Sequence, residues 1–163
     1  MASRRRAGVT GAWLIAALLA LPAPPAAAQR LALTVLPVQE LRFGTLTRGV
    51  GTAVSPLDAA RRATVEVVGA GSVTVTFGLP AGMTAGGRTL PLRFGPGDGR
   101  ITFPKSGKVI EFDPGAPVSF HIPPGIGGAY LHLGGTAQPA PGQPPGAYTA
   151  TITVHVTVAS STT

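Results

Sequence analysis

The chain has 163 residues, a formal charge of +7 and no cysteine, with 23 glycines and 17 prolines. That length suits one domain of ordinary size, roughly 100–150 residues, behind a short leader. A disulfide scaffold is excluded, and the basic residues are too scattered to form the dense, aromatic-interleaved stripe that nucleic-acid binding demands.

Residues 1–28 read as a cleavable signal peptide. Arg4, Arg5 and Arg6 form a basic n-region, residues 12–21 an apolar h-region, and Ala26, Ala27 and Ala28 a small-residue cleavage pattern before Gln29. The apolar run falls well short of the roughly 20 residues that span a bilayer, so no stable membrane insertion is expected after cleavage. Ser3, Arg4 and Arg5 also begin like a twin-arginine signal, but Ala7 and Gly8 stand where large apolar residues should follow. General secretion is the expectation. Residues 29–163 then form a single domain, whose ten Lys and Arg against six Asp and Glu leave a charge of +4.

The first strand is expected at residues 31–36, with Leu31, Leu33 and Val35 on one parity and Pro37 ending its ladder. Residues 40–46 follow as a second extended piece carrying Leu41 and Phe43, and residues 47–60 read as loop. Residues 62–68 present Ala63, Val65 and Val67 inward. Residues 72–79 return with Val73, Val75, Phe77 and Leu79 on one face. Gly69, Ala70 and Gly71 between them predict a hairpin. Residues 80–87 read as loop, and Pro91 places the strand at 88–94 on an edge or at a bulge. The glycine-rich stretch 95–107 reads as loop with a turn and salt bridge at Asp98 and Arg100. Short strands are expected at 108–112, 117–122 and 129–133, then a Pro/Gly/Gln loop over 134–146.

The clearest element is residues 148–158. Tyr148, Ala150, Ile152, Val154, Val156 and Val158 share one parity, and Thr149, Thr151, Thr153, His155 and Thr157 the other. That alternation of β-branched residues predicts one long strand with an apolar and a threonine-covered face. Seven to nine short strands with turn signals between them, and no helical period after the leader, predict an all-β fold. The expected form is an immunoglobulin-like antiparallel β-sandwich with Greek-key connections.

Leu41, Arg42, Phe43, Gly44 and Thr45, the alternating pair in the middle, and Gly146, Ala147, Tyr148 and Thr149 leading into the threonine/valine strand together resemble a known group. The chain is similar to the bacterial spore coat protein U-like domains, their uncharacterised exported relatives, and the major subunits of archaic chaperone-usher pili. Pilins of that type often carry a disulfide near the first strands, which this chain lacks. The resemblance implies a periplasmic, extracellular or cell-surface location in a bacterium and structural or adhesive work. The implied partners are copies of itself or sister subunits, and a periplasmic chaperone.

Leu31, Leu33 and Val35 have the alternation of a donor strand that could complete another subunit's sheet, and equally that of the protein's own first strand. Tyr148, shortly after a glycine turn, reads either as a tyrosine corner or as an ordinary core aromatic. His121, His132 and His155 fall on polar parity, two of them on strands expected to form one hairpin. They lack Cys or acid partners at ligand spacing, so surface histidines are expected and no metal or other cofactor is implied. Glu40, Asp58, Glu66, Asp98, Glu111 and Asp113 form no evident acid/base pair, and no nucleophile elbow or phosphate loop occurs. The expectation is therefore a subunit without catalytic activity. The alternative is a solitary binding module for a carbohydrate or small ligand.

Overall fold

The structure, a computed structural model, describes residues 33–158. The expected leader, its cleavage site and Leu31 lie outside the described residues. Twelve strands form three antiparallel sheets, and there is no helix among the described residues. In chain order the strands are β1 (Thr34–Gln39), β2 (Thr52–Val54), β3 (Ala63–Val68), β4 (Gly71–Gly78), β5 (Gly82–Ala85) and β6 (Arg88–Arg93). They continue with β7 (Gly99–Thr102), β8 (Val109–Phe112), β9 (Val118–Ile122), β10 (Gly128–Leu133), β11 (Gly135–Ala137) and β12 (Thr153–Val158). The sheet orders are β1-β3-β10-β7-β8, β2-β11-β6-β5 and β12-β4-β9.

Alternation decides which side chains enter the core. Ala63 and Val67 of β3, Ile101 of β7, and Ala129, Leu131 and Leu133 of β10 point off one face of the five-stranded sheet. They join Val73, Val75 and Phe77 of β4 and Phe120 and Ile122 of β9 in one hydrophobic cluster. Aromatic contacts tie the two sheets together. Phe77 stacks on Phe112 at 5.7 Å between ring centroids, and Phe103 meets Phe120 edge-on at 6.0 Å. Burying each large aliphatic or aromatic side chain contributes about 1.5–3 kcal/mol. A second cluster gathers Val54, Leu90, Leu92, Met83 and Ala137 of the four-stranded sheet around Phe43.

Several expectations are corrected. β3 and β4 do not form a hairpin: β3 pairs with β1 and β10, whereas β4 pairs with β12 and β9. Gly69 and Gly71 adopt φ of 137° and 120°, a path open to glycine, and carry the chain from one sheet to another. An arch and a hairpin both turn Val67, Val73 and Val75 toward the core, so alternation cannot distinguish them. The same holds for β9 and β10, which also lie in different sheets. A hairpin does form where a loop was expected, between β5 and β6. Gly86 and Gly87, at φ 53° and 76°, supply the two positive-φ residues of a tight turn.

β6 is also an interior strand, not an edge. Pro91 is accommodated because it pairs with Gly82 and its carbonyl accepts the Gln138 amide at 2.9 Å. β2, β7 and β11 emerge from stretches read as loop, while residues 40–46 form no strand. β1 continues through Pro37, which sits opposite Val65 beside a bulge. Finally, the long closing strand is divided. Thr149 bridges Thr84 of β5, residues 150–152 cross over, and only Thr153–Val158 pairs with β4.

Candidate functional site

Two sheet-end strands flank an open cleft. β1 ends the five-stranded sheet and β12 ends the three-stranded one, so each has one backbone edge without a partner strand among the described residues. Val35, Leu36 and Val38 of β1 are exposed, and Ile152, Val154 and Val156 are only partly buried although their parity faces the core. Between the two edges lies a cleft of about 440 Å³, lined by Pro37, Val65, Leu133, Ile152 and Val154 among others. An extended apolar segment is the shape and chemistry that such a cleft accommodates.

Val35 lies in β1 directly opposite Val67, and Pro37 opposite Val65, so this parity faces the core. Leu33 precedes the strand and packs against the main cluster. β1 is therefore seated on the chain's own sheet. It buries little side-chain surface there, since Thr34 to Val38 are all exposed.

Tyr148 lies outside the strands, at the junction of the two clefts in this part of the molecule. Its hydroxyl donates to the Pro144 carbonyl at 2.8 Å and accepts from Gln143 Nε2 at 2.7 Å. Gln143, itself buried, also donates to the Thr89 carbonyl at 3.3 Å. The loop before β12 is thus pinned to β6.

The three histidines are not brought together. His121 is on β9 and His155 on β12, at opposite edges of the three-stranded sheet; His132 is on β10 of the five-stranded sheet. Among the described residues no group of three His, Cys, Asp or Glu side chains could hold a metal ion.

His132 departs from the surface position expected of it: its parity is outward, yet it is only 4% exposed. Nδ1 bonds Thr64 Oγ1 at 3.1 Å and Nε2 bonds Thr102 Oγ1 at 3.0 Å, linking three strands. Each hydroxyl can donate or accept, so a neutral imidazole satisfies both contacts. Tyr130 stacks on the ring at 6.4 Å between centroids. Burial, reinforced by the positive charges of Arg62 and Arg100, pushes the imidazole down to about 4.

The acids are used locally. Asp58 pairs with Arg61 at 2.7 Å, and the hydrogen bond from that guanidinium holds its carboxyl below the usual range. Asp98 and Asp113 accept the Gly95 and Gly115 amides, each at 2.8 Å. The expected Asp98–Arg100 salt bridge is replaced by one from Arg100 across the β7–β8 pair to Glu111 at 3.4 Å. Comparisons with protein-family models, curated proteins and solved structures give no match for this chain.

Proposed function

We propose that this protein is an exported structural or adhesive subunit, without catalytic activity, that joins copies of itself or sister subunits by exchanging its first strand. In this reading the five- and three-stranded sheets are the layers of an immunoglobulin-like Greek-key sandwich left open along one side. The observation that carries it is β1 itself, which ends its sheet with Thr34 to Val38 all exposed and is held to β3 by little besides its ladder. The donor is the segment bearing Leu31, Leu33 and Val35, and a periplasmic chaperone would protect the open side before assembly. The signal-like leader and the resemblance to spore-coat and pilus subunits support the same location, outside the cytoplasm and at the cell surface.

The energetics suit exchange. β1 is held mainly by its backbone ladder, at about 0.5–1.5 kcal/mol net per hydrogen bond, and Pro37 supplies no amide donor. The same bonds form on a second copy's β3, so exchange is close to neutral and concentration decides the outcome. Reciprocal exchange closes a dimer, whereas head-to-tail exchange extends a filament. The test compares the purified protein with a variant lacking residues 29–37 by size-exclusion chromatography with light scattering. The variant should lose self-association and bind a peptide of residues 29–39. A variant that unfolds, alongside an intact protein that stays monomeric at high concentration, contradicts the proposal.

A further inference from the structure

A second cleft, of about 680 Å³, lies on the other side of Tyr148, between the 41–48 loop and the 139–148 loop. Its floor is apolar and rigid: Phe43, Met83 and Leu90 are 8%, 9% and 2% exposed. Its walls are tied in place. The Gly49 amide donates to the Pro139 and Ala140 carbonyls at 3.1 and 3.2 Å, joining the two loops. The Tyr148 and Gln143 hydrogen bonds hold Pro144 and Pro145 over the floor. The volume falls within the roughly 300–1,000 Å³ of small-molecule sites, and such sites are usually formed before the ligand arrives.

The charge of the lining is one-sided. Arg42 and Arg48 both contribute to it, and no Asp or Glu does. Both arginines are exposed, and neither has an ion-pair partner among the described residues. Arg62, Arg88 and Arg93 also have no acid partner among the described residues, but only Arg42 and Arg48 line this cleft, which places two cations beside its apolar floor. Guanidinium groups bind carboxylates in a planar, two-bond geometry that lysine cannot reproduce.

We infer that this cleft binds a small amphipathic carboxylate, with the anionic end at Arg42 and Arg48 and the apolar body on Phe43, Met83 and Leu90. The site does not depend on strand exchange, because none of Arg42, Arg48, Phe43, Met83 and Leu90 is a member of the β1 ladder. The experiment titrates the full purified protein with hexanoate and, separately, with uncharged hexanamide, following backbone amide shifts by NMR. A ligand this small should bind with a Kd on the order of 1 mM. Hexanoate should saturate with shifts centred on Phe43, Met83 and Tyr148. The Arg42→Gln/Arg48→Gln double variant should weaken it at least about tenfold, toward the affinity of hexanamide. Both arginines are exposed, so the variant should keep the wild-type spectrum elsewhere. No saturation by about 20 mM hexanoate, shifts elsewhere on the molecule, or equal binding by the double variant would overturn the assignment.

Discussion

Acidification should weaken the fold through one imidazole. His132 is held neutral in the folded state, pushed down to about 4, while in the unfolded chain it titrates near 6.5. Between those values the unfolded state binds more protons, so stability rises with pH and is lost as pH falls from about 6.5 toward 4. The gap sets a ceiling of roughly 3 kcal/mol, of which about 2 kcal/mol is lost by pH 4.5. The groups facing the ring act together: Arg62 and Thr64 from β3 and its approach, Tyr130 on β10, and Arg100 and Thr102 from β7. An imidazolium there would add a third cation beside two arginines and could no longer accept a bond at either nitrogen. Urea denaturation at pH 7.0, 5.5 and 4.5 reads the effect. His132→Gln, which cannot titrate, should start less stable but show a flatter pH dependence over this window. Equal slopes for both proteins, or an NMR titration of this ring near 6.5, would refute the reasoning.

Other consequences are simpler to read. Tyr148→Phe removes a hydroxyl that bonds Pro144 and Gln143, and should cost about 1–2 kcal/mol in urea denaturation. Leu131→Ala, at a site with 0% exposure in the main cluster, should cost about 2–5 kcal/mol by the same assay. Gly128→Ala would place a Cβ 2.6 Å from the Val67 carbonyl oxygen in the neighbouring strand. It should lower the melting temperature more than Gly86→Ala, where the added atom meets nothing and only the positive φ is penalised.

The strand parities were legible because alternation is a local property. Ala63, Val67, Val73, Val75, Phe120, Ile122, Leu131 and Leu133 are all buried on the faces that the alternation assigns them. Pairing was not legible, since it depends on what lies across a turn. Gly69 and Gly71 suit a hairpin and an interlayer arch equally, and only the positions of β1 and β10 beside β3 decide between them. The strands at 52–54, 82–85, 99–102 and 135–137 are three or four residues long and contain or adjoin glycine, so they lack the length for alternation to show. The division of residues 148–158 follows from the same blindness, because one apolar parity served two different sheets. His132 has the outward parity of a surface residue, yet its burial comes from Thr64 and Thr102 on neighbouring strands and the Tyr130 ring. Both clefts are built from segments far apart in the chain, and no local pattern announces them.

Passage of the first strand between molecules can be trapped covalently, because the chain has no cysteine of its own. Val35 and Val67 are direct register partners on β1 and β3, so a Val35→Cys/Val67→Cys variant carries two thiols placed to bond across that pair. After oxidation at high protein concentration, non-reducing electrophoresis should show covalent dimers and larger species that collapse to one band on reduction. If every molecule instead closes the bond within its own chain at all concentrations, β1 belongs permanently to its own sheet and no strand is exchanged.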